Sequence, residues 1–277
     1  MIDIVTIAFE EELTVLQVQA QSIDLYCQDL GIQSIYVVVN DTQKVADQID
    51  TAWWGSLQDR IRIIQRDTFS TKFVEDGWIS QQVLKILGSA VSFNEWAMVV
   101  DAKTLFVQPI NRNDIITADN KLTWGYAPIQ EVFASAGKIV SELFEIDLKH
   151  VAMPMGVPFM FHTRTLREMI SKVEQRTNQS FPIWFQQQVE ATEFILYTGF
   201  VQSKYGLDQM YLNTKRFPVC NICHSEVDSF ERKFAEMLGN VYTVSIHRKA
   251  WMQITEEQRK RYCMLLQQKQ LTKATLL

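Results

Sequence analysis

Apolar and polar positions along this chain alternate between two periods. Ile2 to Ala8 is nearly continuous in apolar, mostly β-branched residues, the pattern of a central strand covered on both faces. The next apolar positions, Leu13, Leu16, Ala20, Ile23, Cys27 and Leu30, step by three and four residues, as one face of a helix does. Gly31 supplies a helix stop, and Ser34 to Val39 returns to the strand pattern before Asn40 and Asp41. A strand, a helix and a strand in this order predict a right-handed crossover between parallel strands, which brings Phe9-Glu10 and Asn40-Asp41 to one sheet edge. Arg60 to Gln65 predicts a third strand and Ile79 to Ala90 a helix through Ile79, Val83, Ile86, Leu87 and Ala90. Trp96 to Val100 predicts a fourth, doubly buried strand that ends at Asp101, on the edge where open α/β sheets hold their ligands; Pro109 closes the segment after it.

The second half of the chain is patterned less regularly. It predicts a strand over Lys121 to Tyr126, an amphipathic helix from Ile129 to Leu148, and a short strand from Val157 to Phe161. A helix from Thr163 to about Gln175 follows, with Thr165 and Glu168 at capping-box spacing, then a short helical piece from Pro182 to Val189 and a helix that Thr192 caps and Glu193 begins. Val241 to Ile246 predicts a late strand delivering His247, Arg248 and Lys249, and a charged helix runs from Thr255 to about Lys269. With no internal repeat and no linker, the expectation is one α/β domain: a mostly parallel central sheet flanked by helices.

Composition removes several classes of function. The 277 residues are 47% hydrophobic, enough for a large core, and the net charge of −5 comes with no basic stripe to track a nucleic-acid backbone. The N-terminus lacks a basic leader region, with Glu10, Glu11 and Glu12 close behind it, and no apolar run reaches membrane-spanning length, so stable membrane insertion is not expected. Four scattered cysteines make no secreted disulfide framework, and the expected location is the cytoplasm. Cys220 to His224 has the spacing of covalent haem attachment, but that chemistry needs export, and no second ligand pair completes a zinc site; reduced thiols in a loop before Glu226 are the expectation.

Candidate chemistry gathers at the predicted edge. In an extended segment Asp101 and Lys103, two residues apart, point to one side, so both can face a single ligand with an anionic group such as a diphosphate. A structural ion pair capping the strand is the competing reading. Gln81, Gln82 and Lys85 project from neighbouring surface of one helix, which also describes a solvated face. Trp53, Trp54, Trp78 and Trp184 could stack on sugars, although core packing is the commoner use of any one of them.

Taken in order, Gly77-Trp78…Gln81-Gln82…Lys85, Asp101-Ala102-Lys103, Glu193-Phe194…Tyr197…Gly199 and the late His247 resemble the nucleotide-sugar glycosyltransferases of the GT-A fold. The resemblance is nearest to a bacterial group of GT-A-like proteins with G-W-x-x-Q-Q-x-x-K, D-A-K and E-F-x-x-Y-x-G motifs, and it extends from Met1 to about Trp251. It implies a Rossmann-related sheet, a donor-binding part over about 1–110 and an acceptor-side part over about 111–250, with the C-terminal helix over about 255–270 lying beyond it. It further implies that Thr6 and Phe9 flank the nucleotide base, that Gln81, Gln82, Lys85, Asp101 and His247 serve the donor, and that Tyr197 lies on the acceptor side; Lys103 and Arg248 are added to the donor side as neighbouring cations, and His162, after Pro158 to Phe161, is an acceptor-side candidate for which packing is the commoner use. Glu193 would be the catalytic base; an acid stabilised by its helix dipole is the competing reading.

The family's second metal-binding acid is replaced here by Lys103. A manganese or magnesium ion, if used, would rest on Asp101 and His247, whereas Lys103 could supply the positive charge itself and make transfer metal-independent. The expected partners are a nucleotide sugar and a glycan or lipid-linked acceptor, the latter met transiently at a membrane surface. Two alternatives are a non-catalytic nucleotide-sugar or glycan binding protein with a degenerate D-x-D motif, and a nucleotidyltransferase; the second would usually carry a Gly-rich phosphate loop after the first strand, and Ala8-Phe9-Glu10-Glu11 is none.

Overall fold

The apolar runs become a central sheet. The computed structural model describes residues 1–273 other than 42, 71, 75, 154, 155, 189 and 215–217. Its strands are β1 (Ile2–Ala8), β2 (Ile32–Val39), β3 (Ile61–Gln65), β4 (Trp96–Asp101), β5 (Leu105–Phe106), β6 (Tyr126–Pro128), β7 (His150–Ala152), β8 (Phe159–His162), β9 (Val219–Ile222) and β10 (Thr243–Ile246). The main sheet has the order β3-β2-β1-β4-β8, in which β3, β2, β1 and β4 are parallel and β8 is an antiparallel edge. Every residue of β1 and β4 is buried, as near-continuous apolar strands in the middle of a helix-covered sheet must be.

Helices Leu13–Tyr26 and Gly77–Ala90 make the crossovers from β1 to β2 and from β3 to β4, so the carboxyl ends of β1, β2 and β4 share one edge, with Ile7 paired to Asp101. Gly31 takes φ 69° where the first helical segment turns into β2, the conformation a helix-ending glycine serves. A smaller sheet, β5-β10-β9, packs with the helices Phe230–Met237 and Glu256–Gln268 into a second apolar cluster, and Val15 and Tyr26 of the first helix touch both clusters. This second cluster carries β10 to the cleft edge, where His247 caps the helix Arg248–Gln253.

The middle of the chain departs from its pattern. Lys121 to Tyr126 is not a strand; Leu122 makes single bridges to Ile116 and Tyr211, and the pairing strand is β6. The expected long helix from Ile129 to Leu148 is confined to Ala134–Phe144, because the flanking residues close a loop that pairs β6 with β7, with Glu145 in the left-handed region at φ 56°. Thr165 and Glu168 form no capping box: His162 caps that helix through Nδ1, and Glu168 turns to Arg164, Lys204 and Tyr205. The short helical piece spans Phe181–Gln187, and residue 189 lies outside the described residues. Cys220 is a buried residue of β9 and not a loop thiol, while Cys223 is exposed beyond it.

Candidate functional site

Two adjoining cavities open at the carboxyl ends of β1 and β4. The inner one, of about 330 Å³, reaches Lys85, Asp101, Glu193, Asn221 and Ser245. The outer one, of about 600 Å³, is bounded by Phe9, Glu11, Glu12, His224, Arg248 and Lys249. Trp78, Gln81, Lys103 and His247 line both and form the seam between them.

Asp101-Ala102-Lys103 does not continue as an extended strand. The Thr104 N–H donates to the Asp101 carbonyl at 2.8 Å, closing a turn, and this turn folds Lys103 Nζ back to 2.8 Å from Asp101 Oδ2. The other carboxylate oxygen, Oδ1, meets Lys85 Nζ at 2.9 Å and accepts a bond from Gln81 at 3.3 Å. Lys85 continues to Glu193 Oε1 at 3.1 Å, so two ammonium groups and two carboxylates form one chain of alternating sign. Lys85 and Glu193 are only 6% and 4% exposed. Burial alone would discharge such groups; it works against the Lys85 ammonium, but Asp101 and Glu193 reverse this and raise its pKa. In the same way burial pushes the Asp101 carboxyl upward, and Lys103 and Lys85 overcome it and hold the carboxyl well below the usual range.

Each element contributes for a local reason. Asp76 caps the helix Gly77–Ala90 by accepting the N–H groups of Trp78 and Ile79, which aims its first turns at the cleft. Thr192 caps the helix Glu193–Lys204, and Gln82 Oε1 accepts the Glu193 N–H at 3.3 Å, fixing the acid against Lys85. Phe194 stacks on Phe159 with ring centroids 4.3 Å apart and lies under the Lys85 ammonium at 5.4 Å. Gly199 is required by packing: a Cβ there would lie 2.1 Å from Val140 of the neighbouring helix.

Around the outer cavity, Arg248 pairs with Glu11 and the His247 Nδ1 accepts the Lys249 N–H at 3.2 Å. Burial, reinforced by Lys103 and His224, lowers the His247 pKa from its ordinary 6.5, so the ring is neutral at pH 7. Glu12 is the acid that sequence reasoning missed here. Among the described residues its Oε2 is buried without a hydrogen-bond partner, and burial raises its pKa, with Lys103 pulling the other way. Its only sequence signal was membership of a run of three acids, which reads as surface.

These residues do not fit a divalent cation. Both Asp101 oxygens are engaged by ammonium groups, so a metal would have to displace Lys85 or Lys103 and then sit beside the cation it displaced. Among the described residues no three His, Cys, Asp or Glu side chains gather as a metal-holding group.

The structure brings Phe9, Gln81, Lys85, Asp101, Lys103, Glu193, His247 and Arg248 to this cleft and leaves four expected residues out of it. Thr6 is fully buried within β1, paired to Val37 and Val100, and cannot touch a base. Gln82 is buried behind the cleft, holding Glu193. Tyr197 is a core residue whose hydroxyl accepts the His162 N–H at 2.9 Å and donates to Met210 Sδ. His162 pairs with Trp96, the first residue of β4, and so sits at the opposite end of the strand from Asp101. Of the tryptophans, Trp54 and Trp184 are core, whereas Trp78 is 56% exposed on the cleft wall.

The sequence matches a family of unknown function, DUF6492, over residues 4–238. No curated protein matches it. Among solved structures, the chain is similar to the galactosyltransferase LgtC in complex with donor and acceptor sugar analogues, at 12% identity, 96% of this chain, 95% of that one and a TM-score of 0.49. Mouse xyloside xylosyltransferase 1 in its apo form aligns at 12% identity over 88% of this chain and 96% of its own, with a TM-score of 0.41. The bifunctional glycosyltransferase WbbM aligns at 8% identity over 88% of this chain and 45% of its own, with a TM-score of 0.46.

Proposed function

The chain belongs to that family, DUF6492, and we propose that it moves a sugar from a nucleotide-sugar donor to a glycan or glycolipid acceptor without a divalent metal. The observation that carries this reading is the seam: Lys103 and His247 border both cavities, and Lys103 is anchored by a carboxylate that has no oxygen left for a metal. A donor bridging the two cavities would set its diphosphate against Lys103, His247 and Arg248. Its nucleoside would lie among Phe9, Gly77 and Trp78, and its sugar among Gln81, Asn221, Ser245 and Glu193.

Transfer breaks the bond between the anomeric carbon and the diphosphate oxygen, and the electron pair leaves with the diphosphate. Cations already fixed around that oxygen stabilise the developing charge with little reorganisation, and Asp101 serves by holding Lys103 in place. In an inverting transfer the acceptor hydroxyl attacks the same carbon and gives its proton to Glu193. A neutral His247, whose Nδ1 accepts the Lys249 N–H, has its Nε2–H free to donate a hydrogen bond to a diphosphate oxygen.

Calorimetric titration with a panel of nucleoside diphosphates tests this. At least one should bind equally well with and without chelator, and Lys103→Ala should weaken it about tenfold or more, the worth of a charge-assisted hydrogen bond. Absence of binding by every nucleoside diphosphate, or binding abolished by chelator and restored by manganese, would refute the reading. Turnover of the corresponding nucleotide sugars then distinguishes a transferase from a binding protein.

A further inference from the structure

At the end of the molecule opposite the cleft, the turn between the helix Gly77–Ala90 and β4 carries Phe93 97% exposed, with Val91 beside it at 37%. This turn is held firmly from within. Arg167 Nη1 donates to the carbonyls of Ala90 and Ser92, both at 3.0 Å; Thr163 Oγ1 donates to the Asn94 carbonyl at 2.7 Å; and Asn94 Nδ2 donates to Asp3 at 2.8 Å. An aromatic ring on a turn this well fixed is presented to its surroundings by the fold itself.

Next to it lies an open groove of about 710 Å³, whose charged lining is Arg164, Arg167, Lys172, Arg176 and Lys204 against the single acid Glu168. Glu168 is shared by Arg164 and Lys204, and Arg176 pairs with the exposed Glu145 at the groove's margin. Among the described residues Arg167 is bonded only to carbonyls and Lys172 has no carboxylate within ion-pair distance. Against the groove's five cations stand Glu168, Glu145 at its margin and, on the Phe93 turn itself, Glu95, which leaves a local excess of positive charge on a chain whose net charge is −5.

We propose that this end docks on an anionic lipid membrane, with Phe93 and Val91 entering the headgroup boundary and Arg164, Arg167 and Lys172 facing the lipid phosphates. Charge complementarity alone would suit any polyanion. The protruding phenylalanine distinguishes the occupants: it is not part of the groove wall, so a polyanion lying in the groove has no use for it, whereas an interface with an apolar interior buries it. Such docking leaves the cleft facing away from the bilayer, toward the outer part of any acceptor that extends from the surface. The inference does not depend on the transferase reading, and its failure would leave the cleft untouched.

Sedimentation of the full chain with phosphatidylcholine vesicles, with and without phosphatidylglycerol, tests it. Binding is expected only to the anionic vesicles and should weaken as salt is added. Phe93→Ser and Lys172→Glu should each lower the bound fraction at limiting lipid by about threefold or more, the scale of one buried aromatic or one interfacial charge. Phe93 is exposed and Lys172 is half-buried in the groove wall, and an unchanged unfolding midpoint for each variant confirms that it is folded. The proposal is overturned if the wild-type chain does not sediment with anionic vesicles at low salt, or if Phe93→Ser binds like wild type. It is equally overturned if soluble polyphosphate binds the groove while vesicles do not.

Discussion

The helix Glu193–Lys204 begins in one ion pair and ends in another, and the two could hardly differ more in consequence. At the cleft end Glu193 meets Lys85 with both side chains less than a tenth exposed; at the far end Lys204 meets Glu168 at 2.7 Å, with side chains 39% and 28% exposed. The far pair is shorter, yet water screens it and offers each partner an alternative. The buried pair has none, so every charge in the Lys103–Asp101–Lys85–Glu193 chain depends on the next. Distance therefore says little about which ions matter here. Burial decides it, and burial is concentrated where the sheet presents its carboxyl edge.

Removing the lysine from each pair sharpens this contrast most. Lys85→Met, which strands Asp101 and Glu193 in the interior, should cost about 3–5 kcal/mol in urea unfolding, whereas Lys204→Met should cost about 0–1 kcal/mol. Equal losses would mean that the cleft charges are solvated after all. Next in size, Glu193→Gln should lower transfer about 100-fold while the affinity for nucleoside diphosphate stays within a few-fold, since the amide still accepts a bond from Lys85 but takes no proton. Near-normal turnover would dispose of the base. Tyr197→Phe should destabilise by about 1–3 kcal/mol, because the His162 N–H loses its acceptor, with the acceptor KM of the folded fraction unchanged. A raised KM at full stability would return Tyr197 to the site.

The smallest effect is a pH dependence with two opposed signs. His247 titrates in the folded protein below its ordinary 6.5, so it gains a proton and adds a cation to the cleft only as the pH falls below that value. Affinity for a nucleoside diphosphate should then rise severalfold. The unfolded chain takes up that proton first, so the same group's contribution to stability, present above about pH 6.5, is lost as the pH falls through the folded value. His247→Ala should flatten both profiles.

Where a segment carries its own apolar period, the reading from sequence held. The first strand, the helix after it, β2, β4 and the Thr192 cap all followed from period and punctuation. It failed where pairing alone defines the strand. The Tyr126–Pro128 and His150–Ala152 strands are too short to carry a pattern and exist only because they pair with one another. The motif resemblance mixed two kinds of residue that a sequence does not separate. Trp78, Gln81, Lys85 and Glu193 reach the cleft, while Gln82, Tyr197 and Gly199 hold the helices that present them.

By itself the sequence determined the parallel core and the position of Asp101 at its carboxyl edge, because apolar periodicity and right-handed crossovers are local properties of the chain. Only the tertiary structure decided what Asp101 faces. Lys85, Lys103 and Glu193 come from three segments up to 108 residues apart, and their charges survive burial through mutual contact, which no single stretch of sequence encodes.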